Sequence, residues 1–275
     1  MKFLALIKDT FRECLGKKIL ISYFLISTLG ILTMMFVVNI KITGANAVIS
    51  TLIGNKNENL GLPELTNSIV FAESMFARAL YSIGIFLSIF ATVDLMPGLM
   101  KKGRLDLYLA RPLSRPLFLL GKFTGAVAVA SVNIIYAMAG FWLVLGIKTH
   151  VWNFSFLYSM VVIIFMFAVL YTIMMLISIL AKNTAVAIIV IYMVMTLETA
   201  LGTSKSLFSM ISNTLLKHAL EILYWILPKH HEVASITQDI AGGKSIESWT
   251  PLLSSFLTAL IVMNIAVFLF SKKDL

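Results

Sequence analysis

The sequence predicts an all-α fold, a polytopic membrane helical bundle of six transmembrane helices with an N-terminal interfacial helix and both termini cytoplasmic. Three observations carry that prediction. First, 59% of the 275 residues are hydrophobic and only 13% are charged, with a mean hydropathy of +0.95, whereas soluble domains carry roughly 25% charged residues. Second, the apolar residues lie in long uncharged runs of about 20 residues, the length that crosses a hydrocarbon core as a helix. Third, the basic residues flank these runs and are distributed unevenly between the two sets of connections.

The spans follow in order. The first runs from Ile19 to Ile40, between Lys17-Lys18 and Lys41. The second runs from about Met75 to Pro97, with Arg78 near one end and Asp94 near the other. The third covers Phe118 to Ile147 and the fourth Phe154 to Ala181, ended by Lys182-Asn183. The fifth covers Thr184 to about Gly202, with Glu198 near its end, and the sixth Pro251 to Phe270. The short links around Lys148–Asn153 and Lys182 make the spans they join antiparallel neighbours.

Orientation follows from lysine and arginine. The segments containing the termini hold Lys2, Lys8, Arg12, Lys17, Lys18, Lys101, Lys102, Arg104, Arg111, Arg115, Lys122, Lys182, Lys272 and Lys273. The opposite set holds Lys41, Lys56, Lys148, Lys205, Lys217, Lys229 and Lys244, half as many on longer loops. Both termini are therefore expected in the cytoplasm, which requires an even number of spans, in a bacterial inner (plasma) membrane. The net charge of +9 is explained by this flanking pattern, and there is too little soluble chain for a nucleic-acid partner. One cysteine, Cys14, excludes an intrachain disulfide or a cysteine-based metal site. The charged stretch 1–18 does not read as a signal peptide.

The chain reads as one transmembrane domain, 1–275, with three distinct non-spanning parts. Residues 1–18 form an amphipathic helix, with Phe3, Ile7, Phe11 and Cys14/Leu15 on one side and Lys8, Asp9, Arg12 and Glu13 on the other. Such a helix lies in the membrane interface. The loop 42–74, rich in Gly, Asn and Thr, reads as irregular. The segment 203–249 is external and amphipathic. Ser209, Asn213, Lys217 and Glu221 form a polar stripe, and Leu207, Ile211, Leu215, Ile222 and Ile226 an apolar one, until Pro228. It fits a helix on the outer surface or a re-entrant hairpin, because Lys217, His218 and Glu221 fall in mid-run.

The loop 98–117 is the most informative stretch. A short helix from Leu105 to Arg111, stopped by Pro112, sits between two basic clusters. Ser114 then stands where it would cap the third span, with Pro116 in its first turn. A positive-inside loop accounts for the charge alone. A docking surface for a cytoplasmic partner accounts for the charge and for the apolar residues Leu105, Leu107, Tyr108 and Leu109.

With these residues in place, the chain resembles the permease subunits of ABC transporters of the ABC-2 type. The resemblance rests on the six-span plan with its N-terminal helix, on the loop residues Gly103, Leu105, Leu107, Leu109, Pro112, Ser114, Arg115, Gly121 and Lys122, and on the ending Phe270 to Leu275. The family's glutamate ahead of the glycine is replaced by Met100, followed by Lys101 and Lys102, with Asp106 nearby. Such permeases pair, here as an expected homodimer, and bind two copies of a cytoplasmic ATPase that carries ATP and Mg. The resemblance implies that Gly103, Leu105, Asp106, Tyr108, Arg111, Pro112, Ser114 and Arg115 couple to that ATPase, and that the assembly is an exporter.

No cofactor is expected in this chain, and no catalytic residue. The nearest approach to a phosphate loop, Gly243-Lys244-Ser245, has Gln238 where a glycine is needed. His230, His231 and Glu232 are adjacent, which points histidines apart rather than at one metal. Neither a metalloprotease helix nor a nucleophile elbow is present. Arg78, Asp94 and Glu198 are the candidate functional charges at span ends. The main rival reading is an ion-coupled secondary transporter, which wants charge at mid-membrane, where these spans carry little.

Overall fold

The computed structural model describes residues 2–43, 46–51, 54–55, 60–98, 114–203 and 214–272. Nine α-helices are found among them: α1 (Lys2–Gly16), α2 (Ile19–Val37), α3 (Leu62–Thr92), α4 (Arg115–Thr149), α5 (Phe154–Ala181), α6 (Thr184–Thr203), α7 (Thr214–Ile226), α8 (His230–Ala241) and α9 (Thr250–Lys272). Six are long and apolar enough to cross a membrane: α2, α3, α4, α5, α6 and α9. The fold is thus an all-α multi-pass bundle.

The helix ends show why each run stops where it does. Asn153 takes the N-cap of α5, its side chain accepting from Ser155 N at 3.0 Å. Asn183 does the same for α6, accepting from Ala185 N at 2.8 Å, so the α5–α6 link is only Lys182–Asn183 and the two helices run back to back. Ser114 does occupy the N-cap of α4, with Pro116 in the first turn, yet its side chain makes no capping hydrogen bond.

Two boundaries depart from the sequence expectation. The first span ends at Val37 rather than Ile40, because Val38–Thr43 pairs antiparallel with Asn46–Thr51, Ile40 opposite Ile49. The stretch Val-Asn-Ile-Lys-Ile-Thr alternates with period two, a strand pattern. Two short strands, Gly54–Asn55 and Leu60–Gly61, pair with the same hairpin. The connection expected to be irregular therefore carries a small sheet. The second membrane helix starts at Leu62, not near Met75. Its 31 residues rise about 46 Å at 1.5 Å per residue, well beyond a hydrocarbon layer of about 30 Å.

α5 is the central post. It packs against α3, α4, α6, α8 and α9, burying Phe156, Ile163, Met166, Phe167, Leu170, Tyr171, Met174 and Ile179. α2 and α9 are peripheral. The outward faces of α2 (Ile21, Leu25, Leu29, Met35) and α9 (Leu253, Leu257, Ile261, Phe268) stay exposed in the isolated chain. Such apolar surfaces suit lipid or a second subunit.

α1 lies along the first three turns of α4. Its bundle-facing row is Leu6, Thr10 and Cys14, all buried, while Leu15 is exposed and Phe3, Ile7 and Phe11 only half-buried. The expected apolar stripe is therefore rotated. The cause is on α4: a Cβ at Gly121 would come within 2.6 Å of Leu6 Cδ1, and one at Gly125 within 2.6 Å of Thr10 Oγ1. Two glycines four residues apart let the helix backbones approach closely, with Leu6 seated on Gly121 and Thr10 on Gly125.

Candidate functional site

Among the described residues, the buried charged side chains gather at two places, one toward each end of the bundle. The first is at the end that holds the chain termini. Lys122, in the second turn of α4, has no exposed surface. Its ammonium donates to Asp9 Oδ2 at 2.9 Å and to Glu13 Oε2 at 3.3 Å, both on α1. Immediately after α1, Lys17 bridges Glu13 Oε1 at 3.2 Å and Asp94 Oδ2 at 2.8 Å. Asp94 also accepts from Thr184 Oγ1 at 3.1 Å, at the first residue of α6. Burial alone would lower the pKa of Lys17, but the hydrogen bonds and charges of Asp94 and Glu13 outweigh it and raise the pKa. The Cys14 thiol, on the same helix, is pushed up to about 11, first by burial and then by Glu13. It is a packed apolar group rather than a nucleophile.

Asp94 precedes the segment 99–113 and Lys122 follows it. α1 is thus ion-paired to α4, and Lys17, the residue that follows α1, to Asp94 just past the end of α3. Arg115 adds a third tie, donating from Nη1 to Ser271 O at 2.9 Å, which joins the start of α4 to the end of α9. Of the residues expected to dock a partner, Ser114 and Arg115 are placed here. Gly103, Leu105, Asp106, Tyr108, Arg111 and Pro112 lie outside the described residues.

The second gathering is at the opposite end. α7 and α8 form a hairpin whose turn enters the bundle. Thr258 Oγ1, two turns into α9, donates to Ile226 O at 3.3 Å, and Lys229 N donates to Ser255 Oγ at 2.9 Å. Tyr81 donates to His230 O at 2.8 Å, with its hydroxyl 3.0 Å from His230 Nδ1. Tyr81 stands 14 residues from Leu95, or about 21 Å along the helix. The turn is held by contacts with α3 and with the first turns of α9. The expected stripe residues Leu207, Ser209, Ile211 and Asn213 lie outside the described residues.

The span-end charges are placed by this hairpin. Glu198 was expected near an interface, yet it is fully buried. Its Oε2 accepts from His231 N at 2.8 Å, in the first turn of α8. The free amides of a helix N-terminus attract a carboxylate, which is the physical reason it stays inside. Arg78 donates from Nη1 to Gln238 Oε1 at 3.1 Å and to Ser235 Oγ at 3.4 Å, holding α8 to α3. Glu73, also buried, accepts from Asn153 Nδ2 at 2.8 Å. Lys229 is buried at the turn, donating to Tyr224 O, while Tyr224 donates to Glu232. Burial lowers the His230 pKa to about 4, aided by His231. Among the described residues, no group of three His, Cys, Asp or Glu is arranged to hold a metal. Gly243, of the incomplete phosphate-loop pattern, follows the C-cap of α8 with φ +73°. A phosphate loop needs a strand leading into a helix, and here a helix ends instead.

Asp9, Glu13, Lys17 and Lys229 were not singled out by sequence. The signal available was Gly121-Lys122-Phe123-Thr124-Gly125, where two glycines mark a close helix contact around a basic residue. A lysine inside such a contact requires an acidic partner.

Six long apolar helices, with an N-terminal helix ion-paired at one end and the α7–α8 pair bound in at the other, make a multi-pass membrane protein. The chain belongs to the ABC-2 family transporter proteins, whose family model matches residues 6–275. No curated protein matches it.

Proposed function

We propose that this chain is the permease subunit of an ATP-driven exporter in the bacterial inner membrane, powered by a separate cytoplasmic ATPase. The single observation that carries the reading is the ion-paired frame of Asp9, Glu13, Lys17, Asp94 and Lys122. It holds both helices flanking the segment 99–113 against α1, so a force applied to that segment moves α3 and α4 together rather than fraying one end. Family membership supports the partner. Two ATPase copies with ATP and Mg, and a second copy of this chain, complete the assembly in this reading. Gly103, Leu105, Asp106, Tyr108, Arg111 and Pro112 would contact the ATPase, with Ser114 and Arg115 at the segment's exit. The frame lies on the cytoplasmic side, as the lysine and arginine distribution indicates.

The test is association. The chain is co-expressed with each candidate ABC ATPase of its source genome and purified, with Arg111→Glu/Arg115→Glu as the variant. Loss of co-purification and of ATP-dependent transport is expected. Retention of both would remove the docking role.

A secondary carrier is the competing reading. What favours it is the hairpin turn, which brings the buried Lys229 and Glu198 together with His230, whereas the spans themselves offer little charge. Uptake or efflux in ATP-depleted vesicles would decide for it.

A further inference from the structure

A cavity of about 270 Å³ opens between the α7–α8 hairpin and the first turn of α9, walled by Tyr224, Trp225, Lys229, Glu232, Thr250 and Ser254. We propose that it binds the zwitterionic headgroup of a phospholipid from the leaflet opposite the chain termini.

Charge selects the class. Lys229 is 2% exposed, its ammonium lying over the Tyr224 ring and 5.3 Å from the centre of the Trp225 ring. Glu232 is one helical turn away, held by the Tyr224 hydroxyl. The wall thus presents a fixed ammonium, a fixed carboxylate and two aromatic faces. A simple anion meets Glu232 and a simple cation meets Lys229. A headgroup with a phosphate and an amine satisfies both, the phosphate on Lys229 and the hydroxyls of Thr250 and Ser254, the amine on Glu232 and the rings.

Depth and shape select a lipid over a soluble zwitterion. The cavity sits at the first turn of α9, the end of the candidate span Thr250–Lys272, and Trp225 and Trp249 are 58% and 61% exposed there. Tryptophan concentrates at that boundary. The volume equals about nine water molecules, enough for a headgroup and too small for acyl chains. Directly below, Ile226 of α7 meets Thr258 of α9. Ile222, Ile226, Leu253 and Leu257 are all exposed along these two helices, a track on which chains can lie. Nothing in this proposal depends on an ATPase partner.

The experiment uses the full chain in nanodiscs of equal parts phosphatidylethanolamine, phosphatidylcholine and phosphatidylglycerol, followed by native mass spectrometry of the released protein. One zwitterionic lipid retained per chain is expected. Glu232→Gln, which keeps the side-chain shape, and Lys229→Met should each cut its occupancy about tenfold, roughly one 1.4 kcal/mol step. Ser254→Trp, filling the cavity, should abolish it, with circular dichroism showing that each variant is folded. Retention of all three lipids in mixing proportion, selective retention of phosphatidylglycerol, or unchanged occupancy in Glu232→Gln would each overturn the proposal. Displacement of the lipid by millimolar free phosphoethanolamine would show a site for soluble zwitterions and overturn the lipid assignment.

Discussion

The Lys122 ammonium and the Asp9 carboxylate meet at 2.9 Å between α4 and α1, the lysine without exposed surface and the aspartate side chain 40% exposed. A buried cation at a helix contact is tolerated only while its carboxylates stay close. Removing one partner leaves an uncompensated charge or an orphaned carboxylate, and the helix that brings the partner is then free to leave.

Lys122→Met should release α1 from α4. Breaking a buried pair costs about 3–5 kcal/mol, and the exposure of Asp9 reduces this to about 2–3 kcal/mol. Cys14 is buried on the same α1 face, and it is the chain's one cysteine. Maleimide labelling of Cys14 should therefore be slow in the native chain and at least tenfold faster in the variant. Equal rates would show that Lys122 does not hold α1.

Gly125→Val tests the same contact by volume. A Cβ there falls 2.8 Å from Thr10 Cβ, and overpacking of this kind costs about 1–3 kcal/mol. Faster Cys14 labelling is again expected, without any change in charge. Thr10→Ala in the Gly125→Val background should restore part of the protection.

Glu198→Ala should loosen the hairpin from its deep end. The buried amide of His231 loses its acceptor, a cost of about 1–3 kcal/mol. A cysteine at Ser235, in a Cys14→Ala background, should label faster when Glu198 is removed. Unchanged labelling would mean that packing alone seats α8.

Acid should act on the same hairpin through His230. Its folded pKa, about 4, lies below the ordinary 6.5. The neutral ring is favoured when α8 is seated, so the stabilisation is complete above pH 6.5 and is lost as pH falls toward 4. The groups facing it are Tyr81, His231 and, through the α8 terminus, Glu198. Hydrogen exchange across α8 should rise between pH 6.5 and 4, and His230→Phe should flatten that rise.

Much of the bundle was legible because membrane spans announce themselves by composition. The bounds of α5 match the uncharged run from Phe154 to Ala181, and α2 starts at Ile19 as read. The start of α3 was hidden because its first turns carry Glu64, Thr66, Asn67 and Ser68, which a hydropathy reading assigns to loop. The hairpin was harder. Lys229 and Glu232 look external in sequence, and only the contacts with Ser255 and Tyr224 place them in the bundle. The ion-paired frame was invisible for a different reason: Lys122 and its acidic partners are 113 and 109 positions apart, and no periodicity links residues at that range.

The length of α3 has a mechanical meaning. One unbroken helix ends beside Asp94, which Lys17 grips, and carries Arg78 and Tyr81, which grip α8. A rod that pivots by about 10° at its Asp94 end swings Arg78, about 24 Å along it, by about 4 Å. Work done at one membrane surface would then arrive at the other as a displacement of α8, with no relay of side chains between them.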